Sequence, residues 1–397
     1  MTFEPEIGAG CYCSALRRPL DNVPSAHVAK AFAQNGGFMW TQHKRVKFGS
    51  SEVGEGAPVF ITFEAGPTHD GVESAKKLIT EAARAHAHAI KFQICDPDRL
   101  VADRKQPFTY QVLVDRESGA METVEEPLYD ILMRRVLSPS AWREVKAHAD
   151  AEGLAFFATA TFEDEIDLLE SLGCHSVKIA SGDVNHFPLI RRAARTGMCL
   201  QLDTGNSNLG EIEAAVDVIR SEGNENIIIH QCPSGYPARV ESINLRIIQT
   251  LKQMFPYPVA FSDHSPGATM DIAAVAVGAN LVEKTITLDR MTRSVEHIMS
   301  IEPSEMVQFV QTIADIEVAL GAPRRILHDQ ERKRRAAIRR STFLTEPVKA
   351  GALLKDAKVQ FRRPGYGLGP DEYEVLTEAK FRSDFAAGHL ITRADLS

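Results

Sequence analysis

The sequence predicts an α/β protein, a (β/α)8 TIM barrel followed by a small C-terminal β-rich domain, and three observations predict it. Between Pro58 and about Leu320, short apolar, β-prone runs alternate with longer amphipathic ones. Eight such alternations can be counted, which is the number that closes a barrel. Beyond Arg340 the alternation stops, and short runs broken by Gly and Pro replace it.

The eight strand candidates are PVFITFEAG (58–66), HAIKFQ (88–93), LAFFATA (154–160), SVKIASG (176–182), CLQLDTG (199–205), NIIIHQC (226–232), PVAFSDH (258–264) and NLVEKTIT (280–287). Their near-continuous apolar character is what parallel strands buried on both faces require. Between them, VESAKKLITEAARAHA, DEIDLLESL, LGEIEAAVDVIRS and PSEMVQFVQTIADIEVAL repeat apolar residues at three- and four-residue spacing, the signature of helices with one buried face. The stretch from Asp96 to Ser138 is too long for a simple connection; lengths of this kind tend to be functional, and it is expected to fold over the C-terminal end of the second strand.

The expected organisation is a lead-in segment (1–57), a catalytic barrel (58–325), a linker (326–340) and a C-terminal domain (341–397). Within the lead-in, FMWTQHKRVKFGSSEVGEG reads as a hairpin or lead-in strand. The basic run HDQERKRRAAIRR reads as a solvated linker face.

Composition narrows the function classes. Hydrophobic content of 44% and charged content of 25% are those of a globular protein. No apolar run approaches the ~18 residues of a membrane span. A net charge of −8 argues against nucleic-acid binding, so an anionic substrate would need a local basic pocket. The six cysteines lack CxxC spacing, and the N-terminus lacks a basic patch followed by an apolar core; reduced thiols and a cytoplasmic location are expected.

Catalytic groups of such barrels come from C-terminal strand ends and the loops after them. Here these ends carry Glu64, Lys91, Thr159, Lys178 with Ser181 and Asp183, Thr204, His230 and Gln231, Asp263 and His264, and Glu283 with Lys284. Taken singly, each is as readily a solvated strand-end group. Lys91 and Lys178, however, follow buried-looking runs in strands that should point inward, where an unpaired ammonium is costly. They call for an anion, of which phosphate is a natural one, with Thr159 and Ser181 as hydroxyl donors. His264 in SDHSPG and Gln231 or His230 in HQCPSGYP place imidazole and an oxygen donor on adjacent strands. That set suits a divalent ion with open positions, such as manganese, although a strand-end histidine is as readily structural. Glu64 suits general acid–base work, and its expected place on a solvent-facing rim implies that Glu64→Gln would remove activity with little loss of stability. PGYGLG does not join a strand to a helix and is not a nucleotide fingerprint.

The segments FITFEAGPTHDG, VKIASGDVNHFPLI, LDTGNSNLGEI, QCPSGYPARVESINLR, FSDHSPG, VGANLVEKTITLD and EHIMSIEP, in this order, resemble the sialic acid synthase family (N-acetylneuraminate, legionaminate and pseudaminate synthases). RRSTFLTEPVKAGALLKDAKVQFRRPGYGLGPDEYEVL resembles the antifreeze-like (SAF, β-clip) domain carried by its members. The resemblance implies condensation of phosphoenolpyruvate with an unphosphorylated, 2-acetamido sugar aldehyde to give a nine-carbon 2-keto-3-deoxy acid. It implies Glu64 and Asp183 as catalytic, and Lys91, Thr159, Lys178 and Ser181 as phosphoenolpyruvate contacts. Thr204, Asn206 and Tyr236 would face the sugar, joined by Arg363 from the partner of a domain-swapped homodimer. Gln231 and His264 would hold a divalent metal, manganese before magnesium or cobalt, with Gln231 rather than His230 pointing inward. Thr68, Asp70, Asn206 and Thr285 depart from the family pattern on the sugar side and leave the acceptor open. The alternatives are a synthase acting on a phosphorylated aldose, of the Kdo 8-phosphate or DAHP kind, and a silent carbohydrate-binding homologue.

Overall fold

The structure is a computed structural model that describes residues 43–397 apart from Pro323; Cys11, Cys13 and most of the lead-in segment lie outside the described residues. The chain forms two compact units, up to Leu320 and from Gly321 onward.

All eight expected strands form, as β1 (Phe60–Glu64), β2 (Ala89–Gln93), β3 (Ala155–Thr159), β4 (Ser176–Ile179), β5 (Cys199–Asp203), β6 (Ile227–Gln231), β7 (Val259–Asp263) and β8 (Leu281–Thr285). They pair in parallel, each with its sequence neighbours, and β8 returns to β1 to close the barrel. Period-two alternation sends Ile61, Phe63, Phe92 and Val282 outward into the main core under the helices. Their neighbours Phe60, Ala89, Phe157, Cys199, Ile228, Ala260 and Leu281 turn inward and fill the barrel floor.

The hairpin expected before the barrel is present, Val46–Phe48 antiparallel to Ser51–Val53. Its role is to seal that floor. Val46, Phe48 and Val53 join the inward cluster, and Phe48 stands edge-on to Phe60 and Phe157 with centroids 4.8 and 5.2 Å away. Burying such a side chain contributes on the order of 2 kcal/mol and keeps water out of the N-terminal end.

The helices that cover the strands are α1 (Val72–Arg84), α2 (Pro139–Ala151), α3 (Glu163–Ser171), α4 (Phe187–Arg195), α5 (Leu209–Ser221), α6 (Ile247–Met254), α7 (Thr269–Ala276) and α8 (Pro303–Leu320). A capping box starts α5. Asn208 Oδ1 accepts from the Glu211 N–H at 3.1 Å, and Glu211 accepts from the Asn208 N–H at 2.8 Å, which fixes the end of the β5–α5 loop.

Between β2 and α2, the long insertion folds into a hairpin, Pro107–Leu113 against Met121–Pro127, followed by the short helix Leu128–Met133. It reaches the β8–α8 loop. Arg116 bonds to Glu302, Arg293 pairs with Glu122 at 2.8 Å, and Val295 packs with Tyr110, Val112 and Ile131.

The unit from Gly321 onward has its own core of Leu344, Leu354, Leu368, Phe381, Ile391 and Leu396. Its strands Ser341–Leu344 and Val359–Arg362 are antiparallel. The basic run read as a linker carries a helix, Asp329–Ile338, within this unit.

Candidate active site

Inside the barrel, above the apolar floor, lies a polar layer. Gln201 donates through Nε2 to Ser176 Oγ at 2.9 Å and turns its Oε1 to His230 Nε2 at 2.8 Å. That oxygen can only accept, so Nε2 carries the proton. Burial, reinforced by the Lys178 charge, holds the His230 imidazole well below its ordinary pKa, and it is neutral.

The next layer toward the C-terminal ends is ionic. Lys91 pairs with Glu64 and lies 3.2 Å from Glu283, while Lys178 lies 2.7 Å from Glu283 and 3.0 Å from Asp203. Ser262 accepts from Lys178 at 3.0 Å and donates to Glu283 at 2.8 Å. Every one of these side chains is buried. Burial alone would raise the Glu283 pKa, but the Lys178 and Lys91 ammonium groups outweigh it and hold the carboxyl well below its usual range. For Glu64 and Asp203 burial wins, and both are raised despite Lys91 and Lys178 respectively. Burial also works against the Lys91 charge, and Glu283 and Glu64 together keep its pKa well above the ordinary value. The outcome is a Lys91 ammonium held in its charged form and two carboxyls, Glu64 and Asp203, that burial makes readier to hold a proton.

This geometry corrects two expectations. Lys91 and Lys178 do point inward, but carboxylates already compensate them. Glu64 is 4% exposed, not a solvent-facing rim group, and its Oε1 is also held by the Gly66 N–H.

A third correction concerns orientation. His230 is inside the barrel and Gln231 is outside it. Gln231 shares register with the outward Phe261, and its amide donates to the Ile243 carbonyl at 2.8 Å. His264 is different. Its Nδ1 stands 3.0 Å from the Pro233 carbonyl, which can only accept, so Nε2 is left unprotonated and free to bind a cation. Of the expected metal pair, His264 fits and Gln231, in this position, does not. Among the described residues no group of three or more His, Cys, Asp and Glu side chains is arranged around a metal.

The remaining expected residues of the barrel unit lie at the C-terminal strand ends and the loops after them. Thr159 closes β3 beside Lys178, with which it shares register, and is buried. Ser181 and Asp183 form a single turn after β4. Gly205 approaches so closely that a Cβ there would stand 3.2 Å from Ser181 Cβ, and burial raises the Asp183 pKa. Thr204 donates to the His230 carbonyl at 2.7 Å, and Asn206, at φ 59°, accepts from Ser234 at 2.8 Å. The Tyr236 ring lies 4.7 Å from that of His264. Thr285 closes β8 and is buried. Arg363 is exposed in the other unit.

Sequence reasoning assigned no role to Asp203, Ser262 or Glu283, the three groups that bind Lys178. Their signal was present, since each lies an even number of positions from an inward residue of its own strand. By the same rule Lys284 faces outward, where it pairs with Asp263 and lies 3.5 Å from Asp271.

The NeuB family model matches residues 78–325. The chain is 32% identical to an uncharacterized Methanocaldococcus jannaschii protein, over 89% of this chain and 99% of the other. It is also 32% identical to the N,N'-diacetyllegionaminic acid synthase of Legionella pneumophila, over 84% of this chain and 94% of that one. The crystal structure of the N-acetylneuraminic acid synthetase of Leptospira borgpetersenii superposes with a TM-score of 0.65 at 28% identity, covering 74% of this chain and 96% of that one. The order of segments, the closed barrel and these likenesses agree, and the chain belongs to the NeuB family as a synthase of the sialic-acid type.

Proposed function

We propose that the chain condenses phosphoenolpyruvate with the open-chain aldehyde of an unphosphorylated 2-acetamido sugar, giving a nine-carbon 2-keto-3-deoxy acid and phosphate. The observation that carries this reading is the pair of buried, charged lysines at one end of the barrel, bridged by Glu283. On leaving their carboxylate partners they would supply two ammonium groups to a phosphate dianion in a region shielded from water, where such attraction is strong.

Lys91 and Lys178 hold the phosphate, assisted by the hydroxyls of Thr159 and Ser181. When Lys91 turns to the phosphate, Glu64 loses the cation that lowers its pKa and becomes the better base. The enol carbon then bonds to the aldehyde carbon, and the alkoxide so formed takes, by way of the carboxyl that accepts it, the proton that water releases in the next step. Water adds at the cationic C2, giving its proton to Glu64 or to the half-buried Asp183, and the tetrahedral product expels phosphate. Thr204, Asn206 and Tyr236 border the sugar, and Arg363 completes the site from the partner of a swapped homodimer. A divalent cation on His264, manganese in first place, would supply Lewis-acid polarisation of the aldehyde. The C-terminal unit is read as the SAF domain and the location as cytoplasmic; no helix among the described residues is long and apolar enough to cross a membrane.

Phosphate release measured with phosphoenolpyruvate, manganese and a panel of 2-acetamido sugars, each with and without a 6-phosphate, tests this reading. Turnover of the unphosphorylated sugars supports it. Turnover of phosphorylated aldoses alone, or binding of a sugar with no release, overturns it.

A further inference from the structure

A cavity of about 240 Å³ opens beside the C-terminal ends of β1 and β8, between the β1–α1 loop, the end of the insertion and the β8–α8 loop; Thr68, Asp70, Arg135, Thr287, Arg293 and His297 are among its lining. Arg135 is 6% exposed, and its Nη2 is enclosed without a hydrogen-bond partner among the described residues. No carboxylate among them stands within 4.0 Å of its guanidinium. The other arginines of this wall are occupied, Arg293 by Glu122 at 2.8 Å and Arg134 by Glu126.

A guanidinium cannot shed its proton at neutral pH, so a buried one without a partner is costly until something accepts from it. Burial pushes the Arg135 pKa down, and Glu296, the acid acting on it most strongly, lies beyond ion-pair distance. The two histidines nearby do not compete for an anion by charge, and both ring nitrogens of His69 are, like Arg135 Nη2, enclosed without a hydrogen-bond partner among the described residues. Burial holds His69 and His297 down to about 4, so both are neutral at physiological pH, and His297 Nδ1 is engaged with Thr287 Oγ1 at 2.8 Å. Asp70 is the one acid in the lining, and it is exposed.

We propose that this cavity is an oxyanion-binding site, anchored by the Arg135 guanidinium, that takes a phosphate or carboxylate group. A planar guanidinium binds either group through two parallel N–H bonds, and burial strengthens them. The site is separate from the lysine cluster, and it stands whether or not the proposed condensation does. Two sources bring the same chemistry here, an anionic substituent on the acceptor and free inorganic phosphate.

The test uses the full chain. Calorimetric titration with inorganic phosphate, in phosphate-free buffer, compares wild type with Arg135→Met and Arg135→Lys, alongside melting temperatures with and without phosphate. The expected result is one phosphate fewer bound by Arg135→Met, or at least a tenfold weaker Kd, and loss of the corresponding thermal shift. Without phosphate, Arg135→Met should melt no lower than wild type, because an uncompensated charge has gone. Arg135→Lys, which keeps the charge and loses the fork, gives a second comparison that does not depend on the stability of Arg135→Met. Unchanged phosphate binding in the variants overturns the proposal, as does a strong loss of stability in phosphate-free buffer, which would mark Arg135 as structurally paired. In the kinetic arm, a higher KM in the variant for a 6-phosphorylated acceptor alone identifies the acceptor as the source; a change in phosphate inhibition alone identifies free phosphate.

Discussion

Lys178 Nζ lies 2.7 Å from Glu283 Oε1, and this contact ties β4 to β8 across the interior of the barrel. Both groups are buried, and Glu283 also faces Lys91 at 3.2 Å. Removing Glu283 therefore leaves two buried ammonium groups short of an anion. Glu283→Gln should cost about 3–5 kcal/mol of stability, the range for breaking a buried ion pair. Urea denaturation reads this directly, and a loss below about 1 kcal/mol would show that Asp203 and Glu64 suffice.

Glu64→Gln is expected to reduce phosphate release by at least about a hundredfold, the lower range of an acid–base contribution. It should also lower stability by roughly 1–3 kcal/mol, less than Glu283→Gln, because Lys91 retains Glu283. Paired kinetics and denaturation of the same preparation check both parts. A variant that keeps its turnover removes Glu64 from the mechanism.

The two expected metal ligands separate in the structure, so their variants should separate too. Chelation should abolish turnover and manganese should restore it. His264→Ala should lose that manganese response, whereas Gln231→Ala, whose side chain bonds Ile243 outside the barrel, should retain it. Manganese titrations of activity in both variants decide the matter; equal losses would mean that Gln231 turns inward on binding.

Glu296 offers a pH test. It is buried at φ 72°, and burial raises its pKa from 4.5 to about 7. A raised carboxyl means the folded chain binds the proton more tightly than the unfolded one. That contribution is complete below about pH 4.5 and disappears as pH rises through 7, a change on the order of 3 kcal/mol. His69 and His297, lowered to about 4, act in the opposite sense, since their contribution is lost as pH falls from 6.5. Comparing wild type with Glu296→Gln cancels the histidines. The variant should gain relative stability between pH 4.5 and 8, and parallel stability curves would contradict the shift.

A swapped dimer predicts complementation. Glu64→Gln and Arg363→Ala each impair a site, but mixed dimers would pair an intact barrel with an intact arginine. Mixing the two variants after unfolding and refolding should restore part of the activity. Simple averaging of the two separate activities would place Arg363 in its own chain's site or outside any.

Much of the barrel was legible because parallel strands buried on both faces must be apolar throughout, and all eight runs carried that mark. The site was legible by strand-end position, which brought Glu64, Lys91 and Lys178 into view. It was less legible in partners. Asp203, Ser262 and Glu283 sit on three different strands, and nothing in the local sequence says that they converge on Lys178. The inward direction of Gln231 was taken from the family resemblance, which favoured it over His230, whereas the register with β7 sets Gln231 beside the outward Phe261.

The sequence by itself therefore determined the alternation of strands and helices, the C-terminal rim as the place of chemistry, and the family, because these depend on local patterns and their order. Tertiary structure alone decided that the lysines are compensated from within, that Glu64 is buried, that the hairpin before the barrel seals the floor, and that Arg135 faces a cavity without a hydrogen-bond partner for its Nη2 among the described residues. Charge compensation depends on distance and on exclusion of water, and the chain acquires both only when the barrel closes.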